Sequence, residues 1–340
     1  MKKEVLQNDW YKGVARELSF FMTDQIIRAY RNMKRRYGHT LPNVLFHSHD
    51  RVLTMIRKRS DFNTLMDYYK TLSEEYIVSE LKNASRLYDE LKEALNDTTL
   101  DTNTWPAISK LCEELWLYYM FGIYFGYATE IERIHEIKER HYDLVVKVRN
   151  GINDVQILDD FLKDHFAGID LTLLTEEEID QYLQKKTLPP QAEMDERNRE
   201  YLIKMIDLET ERIPGDDIRA TIDRYLHEKD LSDIVELPGT MTYPQQASGR
   251  ARIVLKKEHL HKIRKGDILV TIMTDPDFVP SLSNVAGIVT DYGGITCHAS
   301  IISREMKIPC IVATKHATEI FKDGDLIEID DKKSIVRKVG

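Results

Sequence analysis

The sequence predicts a multidomain α plus α/β protein, with an all-helical domain over residues 1–235 and a compact β/α domain over 250–340, joined by a hinge at 236–249. Three observations carry this. Across the first part, apolar residues recur at intervals of three and four, as one buried helix face requires. Beyond Pro238, short runs rich in Ile and Val replace that spacing, each bounded by turn residues. Between the two, "VELPGTMTYPQQASG" gathers Pro238, Gly239, Pro244 and Gly249, which punctuate a domain entrance.

Taken in order, Leu18, Met22, Ile26, Tyr30 and Met33 line one helix face. Ile77, Leu81, Ala84, Tyr88, Leu91 and Leu95 form a heptad-like seam for a second helix. "NTWPAISKLCEELWLYYMFGIYFGY" reads as a third, with Pro106 in its first turn. "TEIERIHEIKERHYDLVVKV" continues as another. "LLTEEEIDQYL" carries a capping box, in which Thr175 caps the Glu178 amide and Glu178 reaches back. Paired prolines in "KKTLPPQAEMD" mark a linker near 185–195, and "ERNREYLIKMIDLE" reads as helix again. In the second part, "RARIVL", "DILVTI", "AGIVTD", "PCIVAT", "LIEID" and "SIVRKV" read as strands, interrupted by one helix around 297–306.

Composition bounds the function classes. The chain has 340 residues, 42% hydrophobic and 31% charged, which argues against disorder. The net charge is −9 but uneven, and no nucleic-acid partner is expected. No run reaches membrane-spanning length, and the start has no apolar signal core, so a cytoplasmic location without a membrane partner is expected. Cys112, Cys297 and Cys310 are widely spaced with no CxxC, as reduced thiols would be. Residues 1–60 hold thirteen Lys and Arg against five Asp and Glu, clustered at Arg28, Arg31, Lys34, Arg35 and Arg36 and again at Arg57, Lys58 and Arg59. Such a run is either a solvated helix face or an anion-facing patch.

Chemistry concentrates in "DYGGITCHASIISREMKIPCIV", residues 291–312. A strand, a Gly-Gly turn and a helix are expected there, with Thr296 as N-cap and His298 in the first turn. Unpaired amides at that helix end favour a bound anion, and Gly293 and Gly294 permit close backbone approach. A neutral imidazole is a competent nucleophile near neutral pH. The residues alone leave other readings open. His298 also fits a hydrogen-bonded structural histidine. It fits a metal ligand poorly, since no second ligand shares the turn. Cys297 as nucleophile with His298 as base is disfavoured, because adjacent helical positions point about 100° apart.

Here "GGITCHASIISREMKIPCIV" resembles the phosphohistidine swivelling domain of PEP-utilising enzymes, GG-x-T-[SC]-H-A-A-I-I-A-R-x-x-x-I-P, as in phosphoenolpyruvate synthases and rifampicin phosphotransferase. Gly293, Gly294, Thr296, Cys297, His298, Ala299, Ile301, Ile302, Arg304, Ile308 and Pro309 match; "GDILVTIMTDPDFVPSLSNVAGIVTDYGG" is similar upstream. The resemblance implies that His298 is phosphorylated transiently and carries the group between sites. It implies phosphate-stabilising roles for Thr296, Gly293, Gly294 and Arg304. Departures are Ser300 and Ser303 for alanines, and "VATKHAT" at 312–318 for the more usual V-G-x-G-D-A-T, which puts Ala313, Lys315 and His316 in question.

Family members also carry an ATP-grasp domain, and many a PEP-binding barrel. The helical texture of residues 1–235 lacks the strands an ATP-grasp domain needs, and no GxxxxGK[ST] is present. The expectation is therefore an ATP-grasp partner in trans holding ATP and Mg2+, no cofactor on this chain, and a small-molecule acceptor. A non-enzymatic docking or regulatory protein that keeps the fold is the alternative. In the helical part, "WLYYMFGIYFGY" at 116–127 suits either a core helix or an acceptor pocket. His47, His49 and Asp50, or Glu132 with His135, are weak metal candidates, and none is assigned.

Overall fold

The computed structural model describes residues 9–96, 98–128, 131–153, 156–166, 168–226, 235–294 and 297–339. The chain forms two compact units, Met1–Lys12 with Leu18–Leu226, and Gly13–Glu17 with His227–Gly340. Among the described residues no helix is long and apolar enough to cross a membrane.

The first part is not all-helical. A five-stranded sheet runs through it in the order β1 (Trp10–Glu17), β3 (Val52–Lys58), β2 (Val44–His49), β4 (Glu200–Ile206), β5 (Glu209–Ile213). "YLIKMI", read with the helix before it, is β4; the helix stops at Arg199. Burial on both faces explains the misreading. Leu45 packs into a cluster with Ile56, Leu202 and Ile218, while its neighbour Phe46 lies 6.1 Å from the Tyr30 ring on the other side. A strand covered on both faces shows no alternation, and a short apolar run then looks helical. The hairpin turns were equally hidden. β2–β3 and β4–β5 close through Asp50-Arg51 and Asp207-Leu208, all four at positive φ (49°, 64°, 51° and 71°). Primed two-residue turns want this backbone, but Asn-Gly or Asp-Gly is the sequence that announces them.

The predicted helices are present. Phe20–Tyr37 buries Met22, Ile26, Tyr30 and Met33. Glu74–Leu95 buries Ile77, Leu81, Ala84, Leu91 and Leu95, and both pack against Trp105–Tyr127. The expected single helix after residue 131 is two, Glu132–Arg140 and Tyr142–Asn153. The Thr175–Glu178 capping box is formed in both directions, and residues 186–190 join two helices inside this unit.

The second unit is an eight-stranded sheet in the order β6 (Glu236–Pro238), β13 (Ile335–Lys338), β12 (Leu326–Asp330), β8 (Ala247–Ile253), β9 (Ile268–Thr271), β10 (Gly287–Thr290), β11 (Cys310–Val312), β7 (Thr240–Tyr243). All six predicted strands are there. Residues 236–249, read as a hinge, instead supply β6, β7 and the start of β8. These two edge strands are consecutive in sequence with only Gly239 between them, so the sheet curls until its edges meet. A Cβ on Gly239 would lie 2.6 Å from the Ile311 side chain and 2.8 Å from the Val312 carbonyl, so glycine is required. The short strands and turn residues of this stretch gave no periodic signal. β8, β9, β10 and β11 run parallel in the middle, and β9, β10 and β11 are buried on both faces.

In the first unit, burial pushes the Asp159 carboxyl up to about 7, against a hydrogen bond from Ser19 Oγ at 2.7 Å that favours the charged form. A carboxyl raised in the fold opposes folding once it ionises. Stability should therefore fall as pH rises from about 4 to about 7 and then level off. Asp159→Asn removes the penalty, so denaturant melts should show it gaining on the wild type by on the order of 2–4 kcal/mol between pH 4 and pH 8. Parallel profiles would refute the assignment.

Candidate active site

Parallel strands end at one edge, and the loops that leave them there are neighbours. The loop after β9 contains Thr274, the loop after β10 leads into the helix His298–Met306, and the loop after β11 holds residues 313–316 and leads into the short helix Ala317–Ile320. Two backbone bonds, Asp291 N to Thr271 O (3.1 Å) and Tyr292 N to Ile272 O (3.0 Å), fasten the first two loops together. His298 is the first helical residue, but the N-cap is Cys297, not Thr296. The Cys297 carbonyl accepts the first helical bond, from Ile301 N at 3.0 Å, and its side chain makes no capping bond. The preference for Thr at caps misplaced this boundary by one residue. Thr296 itself lies outside the described residues.

His298 is half-buried, and its Nδ1 lies 2.9 Å from Thr274 Oγ1. Thr274 is buried and its position is held by β9. Sequence reasoning missed this partner, although the quoted "TIMTDPDF" contains it; the signal was its place just past the end of a parallel neighbour strand. Gly293 has φ 132°, and a Cβ there would lie 2.7 Å from Cys297 Sγ. Gly294 is exposed, and a Cβ on it would meet nothing within 4 Å. Its carbonyl accepts from Cys297 N at 3.0 Å and from Ser300 Oγ at 2.7 Å.

The altered loop after β11 is pinned by Asp291, at the end of β10. This carboxylate accepts from Thr314 Oγ1 (3.3 Å), Thr318 N (3.2 Å) and Thr318 Oγ1, and the Asp291 carbonyl accepts from Lys315 N (3.0 Å). Burial raises its pKa and the Thr318 bonds oppose the shift. Ala313 and Lys315 take φ of 60° and 71° where the pattern has glycine. Arg304 is exposed in the last helical turn. Six residues beyond His298, it sits about 9 Å along the axis and about 240° round it.

The other candidates of the first unit are engaged elsewhere. Trp116, Tyr119, Phe121, Tyr124 and Phe125 are buried core; Tyr69 donates to the Phe121 carbonyl at 2.7 Å. His47 Nε2 lies 2.8 Å from Glu200 Oε1, and burial lowers its pKa. His49 and Asp50 sit at the exposed hairpin end, and His135 is 3.3 Å from Glu139. Among the described residues no three His, Cys, Asp or Glu gather as a metal site. Arg28 pairs with Asp24 and Glu177, Arg36 with Glu80, and Arg31 donates to the Leu208 carbonyl.

Residues 263–333 match the family model described as "PEP-utilising enzyme, mobile domain". The chain is 50% identical over 93 residues to a probable phosphoenolpyruvate synthase of Methanothermobacter thermautotrophicus, covering 27% of this chain and 14% of that protein. It is 44% identical over 113 residues to a probable phosphoenolpyruvate synthase of Archaeoglobus fulgidus, covering 32% and 15%. Against the phosphoenolpyruvate synthase of Pyrococcus furiosus it is 44% identical over 104 residues, covering 31% and 13%. The match thus spans about a seventh of these relatives' lengths.

The two glycines should respond differently to alanine. Gly293→Ala places a side chain in a left-handed backbone against Cys297 Sγ and should lower stability by about 2 kcal/mol or more. Gly294→Ala should leave it unchanged or raise it by up to about 1 kcal/mol. Thermal melts compare them, and equal effects would contradict the geometry.

Proposed function

Since residues 263–333 carry the mobile domain of PEP-utilising enzymes, we propose that the C-terminal unit is a phosphoryl carrier whose His298 takes the group from a donor and yields it to an acceptor. The observation that supports this most is the Thr274–His298 contact. Neutral imidazole has one N–H and one lone pair, and only the lone-pair nitrogen attacks phosphorus. If Nδ1–H donates to Thr274 Oγ1, the lone pair lies on Nε2. Nε2 then forms the N–P bond while the donor's P–O bond breaks and its oxygen leaves with the electron pair. With phosphoenolpyruvate that leaving group is the enolate of pyruvate; with ATP it is the nucleoside diphosphate. Nδ1 stays protonated, so the phosphorylated ring is cationic and a good leaving group. An acceptor oxygen, an enolate or a hydroxyl that gives its proton to solvent, completes the transfer by attacking phosphorus as the N–P bond breaks, and the ring recovers its lone pair.

The Gly293–Gly294 turn and the first amides of the helix are the groups suited to the phosphoryl oxygens. Thr296 and Arg304 belong to the proposal on resemblance alone. The helical part before residue 227 is assigned to acceptor or partner binding, and the carrier that swings is the unit holding the eight-stranded sheet, residues 236–249 included. The donor site is assigned to an ATP-grasp protein in trans, which would hold ATP and Mg2+, or to a phosphoenolpyruvate site outside this chain.

Labelling tests this directly. With radiolabelled ATP or phosphoenolpyruvate and a candidate ATP-grasp partner, an acid-labile, alkali-stable label is expected on the wild type and not on His298→Ala. Label that persists in His298→Ala overturns the assignment. Thr274→Val should slow labelling about fivefold, the worth of one neutral hydrogen bond of about 1 kcal/mol, while Thr274→Ser keeps most of the rate. Both leave the ring in place, so equal rates would remove Thr274 from the mechanism.

A further inference from the structure

Ser300 stands where the family pattern has alanine, yet it is fully buried and its hydroxyl is committed. Oγ donates to the Gly294 carbonyl at 2.7 Å. Cys297 Sγ lies 3.2 Å from the same oxygen. The Ser300 proton is used on Gly294, so the thiol is the donor in that second contact. Gly294 O thus takes two donors, Ser300 Oγ and Cys297 N at 3.0 Å.

The reason this matters is electrostatic. Gly294 is exposed four residues before the half-buried His298, and glycine rotates its flanking peptides at little steric cost. A carbonyl turned outward would present its negative end to an incoming phosphoryl group, where the helix end otherwise presents N–H. An anion site at a helix start works only while that carbonyl stays on the helix side. One bond from Cys297 N holds it there as part of the turn; the Ser300 hydroxyl supplies a second from beneath. We infer that Ser300 is a positioning residue of this site, a lock that keeps the Gly294 carbonyl turned away from the phosphoryl group on His298.

The inference rests on the phosphohistidine reading, and the experiment separates the two. The full chain is incubated with phosphoramidate, a small donor that needs no second protein. The ring nitrogen forms the N–P bond, the P–N bond of the donor breaks, and ammonia leaves with the proton. Phosphate on His298 is followed by mass spectrometry and its loss at neutral pH is timed. Ser300→Ala should fold, since the family pattern places alanine there. It is expected to accept the label at His298 and to lose it about fivefold faster than the wild type, with Ser300→Thr, which keeps the hydroxyl, close to wild type. A merely structural role would lower the melting temperature and leave the lifetime of the folded form unchanged. Equal lifetimes in Ser300→Ala and wild type overturn the inference. A wild type that labels elsewhere and not at His298 overturns the reading beneath it.

Discussion

The parallel pairing of β9 with β10 is the constraint on which the site depends. In register, Gly287 to Thr290 face Ile268 to Thr271, so both strands finish at the same level of the same edge. The two loops then leave side by side, and Thr274 meets His298 across a sequence gap of 24 residues. Neither residue reaches the other by local chain geometry. Each strand is buried along its whole length, so apolar packing on both faces fixes the register. A substitution that loosens Leu269 or Ile288 should therefore disturb the Thr274–His298 contact without touching it.

The neighbouring loop shows how one buried carboxylate maintains an unfavourable backbone. Two non-glycine residues in the left-handed region, Ala313 and Lys315, cost roughly 1–2 kcal/mol each. The Asp291 carboxylate accepts from Thr318 N and Thr318 Oγ1, its carbonyl accepts from Lys315 N, and Thr314 Oγ1 lies between the Thr290 carbonyl (3.0 Å) and the carboxylate (3.3 Å). Burial raises the Asp291 pKa against those bonds, so they act by fixing where the loop runs rather than as a surplus of stability. The replacement of glycines in this loop is thus compatible with an ordered edge beside His298.

What the sequence made legible follows from the kind of burial each element has. The helix Phe20–Tyr37 repeats Met22, Ile26, Tyr30 and Met33 at steps of three and four, and its periodicity was plain. So were β8 to β13, bounded by turns such as "RKGD" and "KDGD". β2 and β4 were illegible because the sheet is covered on both sides and the hairpins turn through Asp50-Arg51 and Asp207-Leu208. β6 and β7 were illegible because a Pro-rich stretch reads as a connector until closure of the sheet shows what it pairs with. At the site, the Gly-Gly turn and His298 stood out as a contiguous motif. Thr274, Asp291 and Ser300 did not, since their roles exist only once loops from separate strands share an edge.

On the carrier reading, the position of Arg304 bears on how a phosphoryl group would be held. A carrier must hold the group long enough to move and weakly enough to release it. A bidentate arginine clamp on a phosphoryl dianion would be among the strongest contacts a protein makes, and it would have to be broken at every transfer. Helix-end amides contribute about 0.3–1 kcal/mol when exposed and up to about 2 kcal/mol when partly buried. His298 is half-buried at such an end, and the arginine of the motif lies in the last turn, where its charge complements the opposite pole of the same helix. On the carrier reading, weak and preoriented dipoles at one end with the cation kept at the other suit a phosphoryl group that is meant to leave.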